Sequence, residues 1–270
     1  MSPRLWRALA LALIAVGALA LIDATVTLVW QEPFSALYAK LEQDKLNGDL
    51  RSLEHAAPTP VEQRALASLT TERRRIAYLA GELERRTGDG GAVGRIVIPR
   101  IDASFVVVKG TDTADLERGP GIYPQTPFPG AEGTTTTAIA GHRTTYLAPF
   151  RHIDSLRAGN RIMLLMPYAH FTYKVDGQRV VSPNDVAAAI GGASYTRLVL
   201  SACTPLFSAA KRLLVYAVLT RIQPVGKARI LPGGARATAI ELHGPARRPA
   251  APSPAVFEPG DSKLLSTGVQ

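Results

Sequence analysis

Leu198-Val199-Leu200-Ser201-Ala202-Cys203-Thr204-Pro205 places the sequence's one cysteine at the end of an apolar, β-branched run. Arg212-Leu213-Leu214-Val215-Tyr216-Ala217 opens a second such run nine residues later. The first run reads as a buried strand. Thr204-Pro205 stops it, because proline lacks the amide that a central strand donates. Cys203 therefore falls at a strand rim, where backbone amides can become free. If the two runs pair antiparallel across the 204–211 loop, Cys203 and Arg212 meet at that rim. Similar runs cover 94–98, 105–108, 135–140, 161–166, 169–175, 178–181, 196–201 and 212–219. Short β-branched runs at such intervals predict an all-β barrel or sandwich. Asp176-Gly177 reads as a hairpin turn between two of them. Short helical turns are expected over 113–118, 149–153 and 185–189.

A single cysteine excludes an intramolecular disulfide and a Cys-based zinc cluster. Two readings of Cys203 stay open at this point: a small buried hydrophobe, or a nucleophile in an exported protein. A nucleophile needs a base or cationic neighbour. The five histidines are His55, His142, His152, His170 and His243. His55 lies in a helical region and His243 in a proline-rich end. His152 falls in an expected helix or turn, and His170 at a hairpin strand start. His142 follows Thr137-Ala138-Ile139-Ala140-Gly141, again at the end of an apolar strand, and is the best partner. Acyl transfer also needs a donor for the developing oxyanion. Arg212 is placed to be that donor; in isolation an arginine opening an apolar strand is more often a surface charge.

The chain has 270 residues, 46% hydrophobic and 20% charged, with a net charge of +9. It is too apolar for a disordered chain and too aperiodic for a coiled-coil rod. The basic balance suggests an anionic setting, either nucleic acid or a membrane and wall surface. Arg4 and Arg7 precede an apolar stretch from Ala8 to Trp30. Its length, roughly 34 Å as a helix, suffices to cross a bilayer core. The basic residues lie before the stretch and acidic ones follow it, which puts the N-terminus in the cytoplasm and the rest outside. Ala18-Leu19-Ala20 resembles a cleavage site, so a removed signal peptide is the alternative. The apolar run resumes past that site, which favours an uncleaved anchor. Asp23 fits best near the outer interface.

The expected divisions are an anchor over 1–30, a helical spacer and linker over 31–91, a catalytic β region over 92–225 and a Pro/Gly/Ala-rich disordered tail over 226–270. In the spacer, Leu37, Leu41, Leu46 and Leu50 recur among charges. A second helix is expected from Val61 to Arg86, with Thr59 and Glu62 as a capping box at its start. Arg73-Arg74-Arg75 reads as a solvated basic face or one that docks anionic lipid or wall polymer. No second apolar span follows in the sequence.

Val199-Leu200-Ser201-Ala202-Cys203-Thr204-Pro205 with Arg212-Leu213-Leu214-Val215 resembles the active-site segment of the sortase family. Ala140-Gly141-His142-Arg143 resembles its histidine segment. Gly119-Pro120-Gly121-Ile122-Tyr123-Pro124, with Pro129-Gly130, resembles the helix and loop before that strand. The motifs together span about 93–222. The Cys-Thr-Pro continuation is most similar to class E, the actinobacterial housekeeping type. The resemblance implies a closed eight-stranded β-barrel and a cysteine transpeptidase; no cofactor is expected, and the sequence shows no dedicated carboxylate cluster for a metal. It implies that Cys203 attacks the threonine carbonyl of a Leu-x-x-Thr-Gly sorting signal on a surface protein. It assigns general acid and base work to His142, and substrate holding and oxyanion stabilisation to Arg212. An amine of a peptidoglycan precursor would resolve the thioester. Thr204, through its amide, and Ala202, Val199 and Tyr123 become oxyanion or substrate-binding candidates. The family pattern Thr-Leu-x-Thr-Cys is altered here: Val199 and Ala202 replace both threonines, and Ala202 loses a hydroxyl beside the nucleophile.

Other readings are weaker. An L,D-transpeptidase would want a His-Gly segment just before the cysteine, whereas Ser201-Ala202 stand there. A binding scaffold needs no nucleophile. Nucleic-acid binding sits poorly with an external location and 6% aromatic content. Glu32-Pro33-Phe34 resembles a pilus-sortase lid motif, and Leu264-Leu265-Ser266-Thr267-Gly268 has sorting-signal spacing; both read as chance.

Overall fold

The structure, a computed structural model, describes residues 3–29, 33–229 and 240–242. The β-branched runs become strands because such side chains pack well on a pleated, half-buried surface. They are β1 (Ala92–Ile98), β2 (Ala103–Lys109), β3 (Gly121–Ile122), β4 (Thr136–Ala140), β5 (Arg161–Leu165), β6 (Ala169–Val181), β7 (Arg197–Thr204) and β8 (Lys211–Pro224). Their order is β6-β5-β1-β2-β3-β4-β7-β8, and β8 also pairs with β6. The sheet therefore closes into the expected eight-stranded barrel. β2–β3 and β4–β7 are parallel, and the other pairs are antiparallel. Inward side chains, among them Ile96, Ile139, Leu164, Phe171, Leu198, Leu200 and Val215, fill the core. Two short helices, α5 (Thr113–Arg118) and α6 (Val186–Ile190), lie in the connections.

The eight strands are reached by a different route from the expected one. Asp176-Gly177 makes no hairpin. β6 runs through it, and its ladder to β8 slips by one residue between Val175 and Gly177. Asp176 is the extra residue of a bulge. The 14-residue β8 offers partners on both sides of Asp176, so extension wins over reversal. The strand lost there is replaced by β3, two residues long and flanked by turn chemistry. A Cβ on Gly121 would lie 1.9 Å from the Gly110 carbonyl oxygen, so only glycine permits this close passage.

Upstream, α1 (Pro3–Val29) presents its described side chains, Asp23 included, to the surroundings. It is followed by α2 (Pro33–His55), α3 (Pro60–Ser68) and α4 (Glu72–Arg86). The Thr59–Glu62 capping box forms as expected, with bonds of 2.7 and 3.2 Å. The single helix expected to Arg86 instead breaks after Ser68. Thr71 caps the new start by accepting from the Arg74 amide at 3.3 Å.

These helices do not stand off as a spacer. Leu46 and Leu50 of α2 pack on Ala92, Val106 and Val108. Gln43 grips the edge: its Nε2 donates to the Val106 and Arg118 carbonyls, and its Oε1 accepts from the Val106 amide. Leu37 and Leu41 stay exposed. Leu66, Ile76, Leu79 and Ala80 join the main core. The three-arginine run splits accordingly: Arg73 and Arg74 are exposed, while Arg75 shares the inner helix face with Ile76 and Leu79 and is fully buried. Its guanidinium has no hydrogen-bond partner among the described residues.

The tail is not loose from residue 226. Gly226–Arg229 forms a 3-10 turn whose Lys227 pairs with Glu62 at 3.2 Å. β9 (Ile240–Glu241) adds to β8 beyond the end of β7. Glu32, His243 and Leu264–Gly268 lie outside the described residues.

Candidate active site

Strand register sets the site. Cys203 is directly opposite Arg212 in the β7–β8 ladder, so the two side chains leave the same face about 5 Å apart at Cβ. β4 runs parallel to β7 with Ala140 beside Ser201. The Gly141 amide continues that pairing by donating to the Ser201 carbonyl at 3.1 Å. Two residues past Ala140 is His142, and two past Ser201 is Cys203. The three candidates thus come from adjacent strands at one rim. Gly141 is required in the approach: a Cβ there would sit 2.6 Å from Cδ2 of the buried Phe150 ring.

His142 is half-buried, and its Nε2 has no hydrogen-bond partner among the described residues. Burial pushes its proton affinity below the usual histidine value, and the Glu117 carboxylate partly opposes this. The other described histidines are placed elsewhere: His55 and His152 are exposed, and His170 pairs with Gln223 in the β6–β8 ladder. Cys203 is partly accessible. The Arg212 guanidinium donates from Nη1 to the Ala209 and Lys211 carbonyls, at 3.1 and 3.3 Å. Those are neutral backbone acceptors. Among the described residues no acid pairs with the guanidinium that would have to be displaced before substrate is engaged.

Alternation along β7 divides the remaining candidates. Val199, Ser201 and Cys203 share the outer face, whereas Leu198, Leu200 and Ala202 point into the barrel. The missing hydroxyl at Ala202 therefore faces the core, and no side-chain contact at the rim is lost through it. Val199 is buried with Ala138, Val181, Ala189 and Leu214 in an outer cluster that Tyr123, Ile190 and Tyr216 flank. Tyr123 donates its hydroxyl to Ser201 Oγ at 3.3 Å, which seats the ring on the face leading to Cys203. Exposed Val186 opens α6, whose Ala188, Ala189 and Ile190 belong to that cluster.

Arg143 escaped the sequence reading of roles. It is buried, and its Nη1 donates to the Cys203 carbonyl at 3.4 Å and to Thr204 Oγ1 at 3.3 Å. Nε and Nη2 reach the Arg151 carbonyl, and Nη2 pairs with Asp154 at 2.9 Å. Arg143 thereby straps the histidine segment to the cysteine segment. An arginine directly after a rim histidine, facing the opposite side, was the available signal.

A family model described as Sortase domain matches residues 96–220. Sortase D of Bacillus subtilis is 30% identical over 175 residues, covering 64% of this chain and 83% of that protein. The chain belongs to the sortase family. It is accordingly a cysteine transpeptidase of that family. Sortase SrtE1 of Streptomyces coelicolor is 28% identical over 148 residues, which are 49% of this sortase and 41% of that protein. A Clostridium perfringens sortase D5 transpeptidase has the same fold, with a TM-score of 0.52 at 20% identity over 66% of this chain and 98% of that one. Class E thus draws on the shorter of the two curated matches, and the longer one carries the label D.

Proposed function

We propose that this sortase is held in the membrane by α1, with its barrel outside, and transfers surface proteins bearing a Leu-x-x-Thr-Gly signal to a cell-wall amine. Cys203 passes its thiol proton to His142 as Sγ attacks the threonine carbonyl, and the oxygen of the tetrahedral intermediate is met by Arg212 and the Thr204 amide. The Thr–Gly bond breaks, His142 gives a proton to the departing glycine amine, and a thioester remains on Cys203. The amine of a peptidoglycan precursor then attacks that carbonyl. His142 takes up its proton as Sγ leaves. The apolar outer surface around Tyr123, Val186 and Tyr216 suits the leucine end of the signal. The observation that supports this reading is the register that sets Cys203 opposite Arg212, with His142 two residues past the end of the neighbouring β4. No nucleic acid enters the scheme.

The test is incubation of the full chain, in detergent micelles, with Leu-Pro-x-Thr-Gly and Leu-Ala-x-Thr-Gly peptides and an excess of a glycine-peptide amine. Cleavage between Thr and Gly, with a new amide to the added amine, is expected for at least one peptide. Both peptides remaining intact would overturn the proposed signal.

A further inference from the structure

The segment after His142 adopts an unusual backbone. Tyr146, Leu147 and Ala148 all have positive φ, at 50°, 61° and 41°. Three successive non-glycine residues in the left-handed region are costly, and such strain persists only where surrounding contacts impose it. The chain is pinned by bonds from the Ala148 amide to the Thr145 carbonyl and from the Phe150 amide to the His142 carbonyl, at 2.8 and 2.9 Å. The outcome is a tyrosine folded back on the imidazole: the rings of Tyr146 and His142 are 5.3 Å apart and tilted by 36°. The Tyr146 hydroxyl donates to Glu117 Oε1 of α5 at 2.8 Å. From the other side Tyr38 of α2 meets Tyr146 edge-on at 6.4 Å and 74°.

We propose that Tyr146 is a positioning residue for His142, tethered by Glu117 and braced by Tyr38. A half-buried imidazole whose Nε2 has no partner among the described residues lacks a hydrogen bond to fix its plane there. The tilted ring supplies that restraint without occupying a ring nitrogen, so Nε2 stays free for proton transfer. The charged group that acts on the imidazole is the Glu117 carboxylate from α5, Tyr146 stacks on it from its own loop, and Cys203 of β7 and Arg212 of β8 stand at the same rim. Arg143 points away to the Cys203 carbonyl and Asp154. Glu117 has two roles in this arrangement: it anchors the tyrosine, and its charge favours the protonated imidazole. Tyr38 makes the helix that follows the membrane segment a part of the site's support. This assignment rests on the transpeptidase reading of His142.

The experiment uses the full chain in micelles, with histidine ring carbons labelled for NMR, and compares wild type with Tyr146→Phe, Tyr146→Leu and Tyr146→Ala. Tyr146→Ala should lower kcat about tenfold with KM within about twofold, since misorientation of a catalytic group acts on the chemical step. Tyr146→Phe keeps the ring and should stay within about threefold of wild type. The His142 ring-proton resonance should keep its aromatic shift in Tyr146→Phe and lose it in Tyr146→Leu and Tyr146→Ala. Tyr146→Leu preserves bulk and carries the same comparison should the alanine variant fail to fold. Equal kcat in the Phe, Leu and Ala variants, a loss confined to KM, or an unmoved His142 resonance would overturn the assignment. The resonance needs no peptide, so it decides the positioning even where a wild-type chain inert toward sorting peptides has sunk the transpeptidase reading.

Discussion

Cys203 and Arg212 face each other across one ladder position, so the chemistry of the guanidinium can be tested without moving the backbone. Arg212→Lys keeps the charge but loses the planar fork that holds two acceptors at once. Its kcat/KM should fall roughly 10²-fold, the scale of losing an oxyanion donor, and peptide-cleavage kinetics would measure it. Near wild-type turnover would remove Arg212 from the site. The shared rim of His142, Cys203 and Arg212 was legible because each stands at one end of an apolar run, marked by Gly141, by Thr204-Pro205 and by the onset at Arg212. Tyr146 and Glu117 were not legible. The turn that folds Tyr146 back uses Tyr-Leu-Ala in the left-handed region, with none of the glycine or asparagine that normally announces it. Ala202 was misjudged for a simpler reason: its neighbour relation to Cys203 in sequence puts it on the opposite face of the strand.

At the scale of elements, α3 is locked to α4 and to the 226–229 turn through one buried carboxylate. Glu62 accepts from the Thr59 amide and pairs with Lys227 and Arg86. Burial alone would raise its pKa; the Thr59 amide, Lys227 and Arg86 outweigh that and hold it below the usual value. Its contribution to stability is therefore complete above the ordinary glutamate value of about 4.3 and is lost as the pH falls through the lower folded value. Glu62→Gln should cost about 2 kcal/mol near neutral pH, with the difference from wild type shrinking in acid; chemical denaturation at pH 7 and pH 3 checks both parts. The cap itself was readable from Thr59 and Glu62. The break between α3 and α4 was not, because Leu69-Thr70-Thr71 contains no proline or glycine and the apolar spacing continues through it. The bulge at Asp176 was misread for a related reason. Asp-Gly suits a two-residue turn and a bulge equally, and the length of the strand opposite decides between them.

At the scale of the whole molecule, the barrel, the packed helices and the single thiol make orientation measurable. The chain has one cysteine, and it is partly accessible. With the barrel outside the membrane, a membrane-impermeant maleimide should label Cys203 on intact cells, and labelling only after lysis would place the barrel inside. The net charge of +9 first left nucleic acid and an anionic surface as alternatives; membership of the sortase family favours the second. The central claim is that this thiol carries the acyl group. Full-length wild type incubated with the cleaved sorting peptide in the absence of added amine, then quenched in acid, is measured by intact mass and fragment mapping. The account predicts a mass increase equal to the peptide's Leu-x-x-Thr acyl portion, confined to the fragment containing Cys203, removed by hydroxylamine and absent in Cys203→Ala. Cleavage of the peptide by Cys203→Ala at the wild-type rate, or an adduct on any other residue, would contradict it.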